Sequence, residues 1–263
     1  MTEPTWAPSL RAVATESPLV HCLTNIVAAG FTANVLLALG ASPAMVENAE
    51  EAGPFANVAG AVLVNLGTLS SERVAAMRAA AAAAQRASRP WVLDPVAVGA
   101  LDHRTRLARE LLDHRPTVIR GNASEIASLA GWDGAAGRGV DSTMGSGAAV
   151  GAARELARSS GAVVAVSGAF DYVTDGRQVF EVPGGNVLMT RVTGVGCALG
   201  AVMAALLAVA SDPLTAARDA SAVLKEAGSR AAAPPPPGPG TFAVRLLDCL
   251  GDMAREAAPS PAD

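Results

Sequence analysis

The sequence predicts an α/β fold in which a mostly parallel central sheet is covered by helices on both faces. Short, continuously apolar runs, typical of strands that are buried on both faces, alternate along the chain with longer helical segments. The 263 residues are 51% hydrophobic and 17% charged, which is enough apolar material for one large core. We expect a single domain over residues 1–263, with flexible ends at about 1–8 and 258–263.

Four apolar runs are predicted strands, and polar residues follow or end each of them. The predicted strands are residues 61–65, 91–94, 117–120 and 162–166. A hairpin is predicted at 172–180, where Asp175 and Gly176 form a two-residue turn signal. Ligands in open α/β sheets bind beyond the carboxyl ends of the strands. Any one of these polar residues could be a cap or a turn, but together they predict a site at one edge of the sheet.

The predicted helices begin at capping residues and end at glycine or before proline. The first covers residues 25–39, with Thr24 or Asn25 as its cap and Gly40 at its end, and the second covers 72–86, with Ser70 or Ser71 as its cap. The others are a segment beginning at Ser124, the apolar segment 197–210, a segment at 213–230 and a final segment from Thr241. The proline-rich run 234–240 is too short to separate two domains and is interpreted as a stiff loop.

Composition excludes several classes of partner. The net charge of −4 and the scattered arginines leave no basic patch for nucleic acid. The longest apolar run, 197–210, is shorter than the roughly 20 residues that a bilayer crossing needs, so no membrane partner is expected. The N-terminus lacks the pattern of a signal peptide, and the three cysteines are widely spaced. We therefore expect a cytoplasmic protein without structural zinc.

The turn at residues 193–197 is the sharpest local feature, because two glycines precede an apolar helix. Gly194 and Gly196 would let the backbone approach an anion closely, and the helix offers unpaired N–H groups at its positive end. A close helix–strand contact is the plainer interpretation of such a turn. A P-loop is excluded because the single lysine, Lys225, lies far from any glycine-rich segment. The turn predicts the phosphate-handling end of a small-molecule kinase site.

Four side chains near this edge suit phosphoryl transfer. At a helix N-terminus Cys197 could act as a base or a nucleophile, although buried cysteines are usually inert. Asp94 and Glu125 suit Mg²⁺, while Glu125 could equally be a first-turn helix residue. Arg120 could bind ATP phosphates in place of the missing lysine. His21 is interpreted as a structural histidine by default.

The chain resembles the hydroxyethylthiazole kinase family, of the ribokinase-like superfamily, over almost its whole length. The resemblance rests on many ordered stretches, which are residues 21–25, 32–34, 40–45, 50–51, 65–69, 94–100, 120–126, 139–142, 171–176, 194–199 and 238–242. It implies ATP-dependent phosphorylation of 4-methyl-5-(2-hydroxyethyl)thiazole, a step toward thiamine, and Mg²⁺ as cofactor. It also implies a homotrimer with its sites at the subunit interfaces.

The resemblance further implies roles for individual residues. Met45 and Gly194 contact the thiazole alcohol, with Asn25 nearby, and Arg120 and Ser167 contact ATP. Cys197, together with Gly194 and Gly196, forms the catalytic turn at a position where most ribokinase relatives have an aspartate. The chain departs from the family pattern at the small pair Ala29-Gly30, in the proline run 234–237, and at two site residues. Ser167 replaces the more usual threonine, and Val195 replaces a small hydroxyl residue.

Three alternatives to this function remain open from the sequence. Another kinase substrate, such as a hydroxymethylpyrimidine or a sugar, is compatible with the fold. A nucleotide-dependent dehydratase is disfavoured because Cys197 replaces the expected aspartate. A non-catalytic ATP-binding protein is disfavoured because Asp94, Arg120, Glu125 and the glycine turn are all retained.

Overall fold

The computed structural model describes residues 3–132, 145–236 and 238–258. The stretch 139–142, the proline at 237 and the chain end at 259–263, all used in the sequence analysis, lie outside the described residues. Within the N-terminal segment that was expected to be flexible, Trp6 is 9% exposed and a helix begins at Ala7.

The described residues form an eight-stranded sheet in the order β2-β1-β3-β4-β5-β6-β7-β8. The strands from β2 to β6 in this order are parallel, and β7 and β8 are antiparallel, so the prediction of a mostly parallel sheet is confirmed. The strands are β1 Leu19–Leu23, β2 Ser42–Ala44, β3 Ala61–Asn65, β4 Trp91–Asp94, β5 Val118–Asn122, β6 Val163–Ser167, β7 Asp171–Thr174 and β8 Val179–Val182.

Helices cover both faces of this sheet. They are α1 Ala7–Glu16, α2 Ala29–Ala38, α3 Ala49–Val58, α4 Ser71–Arg86, α5 Asp102–Leu112, α6 Ala123–Leu129, α7 Val150–Ser160, α8 Val195–Val209, α9 Pro213–Ala231 and α10 Pro239–Ala257. Two 3₁₀ turns lie at Ser146–Ala149 and Val187–Arg191. Among residues 3–132, 145–236 and 238–258, none of the helices combines the length and the apolar character that a bilayer crossing requires.

Helix α8 is the central helix of one face, and it delivers the glycine turn to the carboxyl edge of the sheet. It packs against β1, β3 and β4 as well as α2 and α9. A side chain at Gly200 would lie 2.9 Å from Leu63 Cδ1 and 3.6 Å from Asp94 Oδ2. The missing side chain therefore lets α8 lie directly on β3 and β4, which places its first turn beside the ends of these strands.

Several local predictions need correction. Arg120 is not at the end of its strand, because β5 continues to Asn122, whose side chain caps α6. The helix predicted from residue 25 begins only at Ala29. The side-chain oxygen of Asn25 accepts a hydrogen bond from the Ala28 N–H, so residues 25–28 form a turn that precedes the helix. The final helix begins at Pro239, inside the run that was interpreted as a loop.

Candidate active site

Polar side chains from four neighbouring strands and one helix meet at the carboxyl edge of the sheet. Asn65 ends β3 and Asp94 ends β4, and these two residues are paired in the strand register. Arg120 lies in β5, and Ser167 ends β6. Cys197 lies in the first turn of α8. The sheet register and the packing of α8 thus collect residues that are far apart in sequence.

Hydrogen bonds connect these residues into one network. Asn25 Nδ2 donates to Cys197 Sγ at 3.0 Å and to Asn65 Oδ1 at 3.1 Å. Asn65 Nδ2 donates to Asp94 Oδ2 at 2.7 Å. On the other side of Asp94, Arg120 Nη1 lies 3.4 Å from the same oxygen. Together with Ser167, these residues form what we call the site network.

Arg120 lies between the Asp94 carboxylate, the Ser167 hydroxyl and the first turn of α8. Its Nε donates to Ser167 Oγ at 3.1 Å, and its side chain is 10% exposed. A Cβ at Gly196 would lie 3.2 Å from Arg120 Nη2, so glycine at this position leaves room for the guanidinium. Burial opposes the charge of Arg120, but the nearby carboxylates of Asp94 and Glu125 outweigh it and raise its pKa. A fixed cation therefore lies beside the N-terminus of α8.

The glycine turn itself has a conformation that favours glycine. Gly194 is the N-cap of α8 with φ of +92°, in the left-handed region. A Cβ at Gly194 would lie 3.2 Å from Ala28 Cβ and 3.3 Å from Ala28 Cα. The turn therefore rests directly on the backbone that precedes α2. The first N–H groups of α8, beginning at Val195, are available to an anion at this position.

Asp94 is fully buried, and burial raises the pKa of its carboxyl group to about 7, with Arg120 opposing the shift and Glu125 adding to it. Its Oδ2 accepts hydrogen bonds, whereas its Oδ1 has no hydrogen-bond partner among the described residues. An orphaned buried carboxylate oxygen is costly unless a cation or a donor meets it. This atom is therefore a suitable ligand for a divalent cation.

Glu125 has a structural role that the sequence analysis raised as an alternative. Its Oε1 accepts from the Ala97 N–H at 2.8 Å and its Oε2 from the Asn122 N–H at 2.8 Å. Asn122 Oδ1 accepts in turn from the Glu125 N–H, which completes a capping box at the start of α6. Each carboxylate oxygen keeps a further lone pair, so the capping role leaves room for a metal contact.

The described residues, 3–132, 145–236 and 238–258, contain no group of three or more His, Cys, Asp and Glu side chains arranged to hold a metal. Magnesium does not require such a group, because it usually binds one or two carboxylates together with water and substrate phosphates. Asp94 with its orphaned oxygen, and Glu125, whose Oε1 accepts from the Ala97 N–H in the segment after β4, fit this pattern.

The thiol of Cys197 is partly exposed and is held in its neutral form. Burial raises the pKa of Cys197, the charge of Asp94 raises it further, and Arg120 and the amides of Asn65 and Asn25 oppose the shift. The expectation from the helix N-terminus alone was the opposite, a lowered pKa. The reason for the difference is that burial and the neighbouring carboxylate of Asp94 raise the pKa by more than Arg120 and the two amides lower it.

Met45 and His21 lie outside the site network. Met45 follows β2, is partly buried and packs against the apolar cluster that includes Val195. His21 lies in β1, and its Nε2 donates to the Val46 carbonyl at 2.7 Å, so it fixes the backbone next to Met45. The interpretation of His21 as a structural histidine agrees with this position, although its Nδ1 has no partner among the described residues.

Sequence reasoning missed the role of Lys225. In sequence this lysine is far from any glycine-rich segment, but in the structure its Nζ donates to the Gly168 carbonyl at 2.6 Å. It also pairs with Asp171 at 3.1 Å. The single lysine of the chain, on the predicted helix 213–230, and an acidic residue opening the 171–176 stretch were the available signals. Neither signal reveals the other residue, because the pair is 54 positions apart in the chain and forms only when α9 packs on β6 and β7.

Comparison with known proteins places this geometry in a family. The family model described as "Hydroxyethylthiazole kinase family" matches residues 10–256. A hydroxyethylthiazole kinase from Leptospira interrogans is 55% identical over 241 residues, which covers 92% of this chain and 90% of that protein.

Two solved structures resemble the fold. A hydroxyethylthiazole kinase from Pyrococcus horikoshii OT3 superimposes with a TM-score of 0.86 at 39% identity, covering 94% of this chain and 92% of that one. A ribokinase-like superfamily protein from Enterococcus faecalis V583 superimposes with a TM-score of 0.67 at 12% identity, covering 98% and 92%, and shows the fold alone. The chain therefore belongs to the hydroxyethylthiazole kinase family.

Proposed function

We propose that this protein is a kinase that transfers the γ-phosphoryl group of ATP to the hydroxyl of 4-methyl-5-(2-hydroxyethyl)thiazole, a step in thiamine biosynthesis and salvage. The observation that carries the proposal is the continuous site network, which runs from Cys197 at the start of α8 to Ser167 at the end of β6. It combines a polar end suited to an alcohol with a cationic end suited to phosphates.

The two ends of the network suggest how the substrates are divided. Asn25, Met45 and Gly194 would contact the thiazole alcohol. Asn25 donates to the Cys197 thiol and Gly194 caps the helix that carries it, while the assignment of Met45 rests on the family resemblance. Arg120 and Ser167 would contact ATP, since a buried guanidinium and a hydroxyl suit phosphate oxygens. Arg120 would do so while it remains paired with Asp94, which keeps the guanidinium in place before the nucleotide arrives.

In the reaction, the alcohol oxygen attacks the γ-phosphorus, the bond to the β–γ bridging oxygen breaks, and ADP leaves. The negative charge on the transferred group would meet the first N–H groups of α8, including those of Gly196 and Cys197, and the guanidinium of Arg120. Such preorganised donors lower the barrier because they need no reorganisation as the charge develops. Gly194 and Gly196 permit this approach because no side chain intervenes.

Cys197 would hold the alcohol and would not form a covalent intermediate. Its sulfur accepts a hydrogen bond from Asn25 and its pKa is raised, so the neutral thiol is the form present at neutral pH. A loose phosphoryl-transfer transition state requires little proton removal before the new P–O bond forms. The thiol would therefore orient the hydroxyl, and the proton of the hydroxyl would pass to an oxygen of the transferred phosphoryl group or to water.

Asp94 and Glu125 would hold Mg²⁺ together with the nucleotide phosphates. The ion, when bound, would neutralise phosphate charge and orient the γ-phosphoryl group. The orphaned Asp94 Oδ1 supports this assignment more strongly than the geometry of Glu125 does, because both Glu125 oxygens already accept backbone hydrogen bonds.

We further propose a homotrimer with sites at the subunit interfaces. Ile26 and Val27 are 71% and 67% exposed and directly follow Asn25, so apolar surface lies beside the proposed alcohol end. Ile26→Glu with Val27→Glu should yield monomers in sedimentation and reduce turnover together. Val244→Glu, at a valine 60% exposed on α10, is the matched control. A fully active monomer would contradict the proposed interface sites.

A cytoplasmic location is proposed as well. The three cysteines lie in described segments and are all free thiols, which suits a reducing compartment. Cell fractionation with an antibody against the intact protein tests this location.

A coupled ADP-release assay tests the activity directly. The thiazole alcohol, a hydroxymethylpyrimidine and several sugars are compared under identical ATP and Mg²⁺ concentrations, and the phosphorylated product is identified by mass spectrometry. We expect the highest kcat/KM with the thiazole alcohol. Turnover of another alcohol without turnover of the thiazole would overturn the substrate assignment and leave a kinase. The absence of any ADP release with all acceptors would overturn the kinase proposal itself.

A further inference from the structure

A buried ion pair lies behind the turn that connects β6 to β7. Lys225, the single lysine of the chain, extends from α9 and is 7% exposed. Its Nζ donates to the Gly168 carbonyl at 2.6 Å and the Ala169 carbonyl at 3.0 Å, and lies 3.1 Å from Asp171 Oδ1. An ammonium group has three protons to donate. The three N–H bonds of Lys225 Nζ therefore all have acceptors on one short turn.

Asp171 stabilises the same turn by a hydrogen bond within it. It is 4% exposed, and its Oδ1 accepts a hydrogen bond from the Gly168 N–H at 3.0 Å. From the opposite side, Ser146 Oγ donates to the Phe170 carbonyl at 2.6 Å. A Cβ at Gly168 would lie 2.6 Å from Ser146 Oγ, so only glycine fits there without a shift. The path of residues 168–171 is thus fixed by side chains from three separate segments.

Burying these two charges would be energetically unfavourable if their only role were to fill space in the core. Removing two charges from water costs several kcal/mol per ion, and an apolar pair of similar volume often serves stability as well. What a hydrogen-bonded ion pair adds is a defined backbone geometry. Here the backbone concerned begins at Ser167, whose Oγ accepts the hydrogen bond from Arg120.

We propose that Lys225 and Asp171 are positioning residues for the nucleotide: by clamping the turn at residues 168–171, they hold Ser167 and the exposed turn backbone in the orientation that binds the ATP phosphates. This inference rests on the proposed kinase function only for the identity of the nucleotide. The clamp acts through Ser167 and the turn, and neither of its two charged groups needs to touch ATP. The alcohol end of the site network, at Asn25 and Cys197, lies on the other side of Asp94 along the network, away from the clamp.

The test measures binding separately from turnover. Calorimetry gives the Kd of a non-hydrolysable ATP analogue, and the KM for each substrate comes from the ADP-release assay. Lys225→Met should weaken binding of the analogue by about tenfold or more, the loss expected when several hydrogen bonds to a charged group disappear. The KM for the alcohol should change by less than about twofold.

Asp219→Asn is the matched control. Asp219 lies on the same helix, is 1% exposed, and bonds to Arg218 and Ser9 instead of the turn. We expect it to lower the melting temperature while binding of the ATP analogue stays within about twofold of the parent protein. If both variants weaken the analogue equally, the effect of Lys225 is general destabilisation, and the proposal is overturned.

A second variant keeps the test decisive if Lys225→Met does not fold. Asp171→Asn preserves shape and an acceptor for the Gly168 N–H but removes the charge that holds Lys225. The analogue should therefore again bind more weakly than it binds to the parent protein, while the KM for the alcohol stays close to the parent value. Parent-like affinity in a folded Asp171→Asn protein overturns the clamp. Weakened nucleotide binding in a protein that phosphorylates no thiazole would sustain the clamp while the proposed substrate fails.

Discussion

Asn25 donates a hydrogen bond from its Nδ2 to Cys197 Sγ over 3.0 Å, which ties the turn before α2 to the first turn of α8. The amide cannot flip freely, because its oxygen accepts the Ala28 N–H at 3.0 Å. The sulfur is therefore an acceptor toward Asn25, and its proton is left for another partner. This orientation is what a thiol needs if it is to donate to, or exchange a hydrogen bond with, a substrate hydroxyl.

The first prediction concerns Cys197 itself. Cys197→Ala should lower kcat by about 10- to 100-fold, because the alcohol loses its orienting partner. This loss is at or below the lower end of the rate enhancement that a general acid or base usually provides. Cys197→Asp should retain or raise kcat, because a carboxylate can accept the hydroxyl proton. Steady-state kinetics with saturating ATP provides the measurement.

Cys249→Ser is the control for loss of a thiol, since Cys249 lies on α10 and contributes no hydrogen bond to the site network. Its kcat should equal that of the parent protein. An unchanged kcat in Cys197→Ala would reduce Cys197 to a packing residue.

The second prediction separates the two carboxylates. Asp94→Asn should raise the Mg²⁺ concentration needed for half-maximal activity by about tenfold or more. The substitution removes the negative charge and replaces one carboxylate oxygen by an NH₂ group, so the ligand that Oδ1 offers to Mg²⁺ is weakened or lost. Glu125→Gln should have a smaller effect on Mg²⁺ but should destabilise the fold by about 1 kcal/mol, since a capping hydrogen bond is lost. Magnesium titrations and urea unfolding of both variants test this contrast. Identical titrations for Asp94→Asn and the parent protein would remove Asp94 from the metal site.

The third prediction concerns the glycine turn. Gly194→Ala should cost about 1–3 kcal/mol of stability and lower kcat/KM, because a Cβ must adopt φ of +92° and press against the Ala28 backbone. Gly131→Ala is the matched control, with φ of +81° and open space around the added Cβ. It should show the backbone strain alone, without loss of activity. Equal effects of the two substitutions on activity would argue against a special role for the turn.

The fourth prediction is a pH dependence of stability that originates at His21. Burial lowers the pKa of His21 below its ordinary value of about 6.5, while the hydrogen bond to the Val46 carbonyl partly opposes the shift. Because the folded state prefers the neutral ring, the stabilisation is complete above about pH 6.5 and is lost progressively as pH falls from there through the lowered pKa of the folded state. Phe55 packs edge-on against the ring and supplies no counter-charge.

The melting temperature of the parent protein should therefore fall between about pH 7.5 and about pH 5.5 by more than that of His21→Gln. His103→Gln, at an exposed histidine on α5, should follow the parent protein. A pH dependence in His21→Gln that matches the parent curve would assign the effect to other groups.

Local sequence signals were sufficient where the chain itself supplies the physical cause. Ser70 caps α4 through its own side chain, and the run 61–65 forms β3 with the bounds that its apolar residues indicate. The turn signal at Asp175 and Gly176 correctly marks the hairpin of β7 and β8, but the loop has four residues, 175–178, where the signal predicted two. Asp175 Oδ1 accepts hydrogen bonds from the N–H groups of Arg177 and Gln178, which stabilises the longer loop. In contrast, the three-residue strand β2 lacks an apolar pattern of its own, and only its pairing with β1 makes it a strand.

For the site, the sequence by itself determined which residue types reach the carboxyl edge of the sheet, because Asn65, Asp94 and Ser167 end or directly follow continuous apolar runs, a pattern typical of parallel strands. Tertiary structure alone decided their electrostatics and their partners. It paired Arg120 with Asp94, raised the pKa of Cys197 against the helix dipole, and brought Lys225 to Asp171. The physical reason is that burial and charge–charge energies depend on distances between segments, and no local pattern along the chain contains those distances.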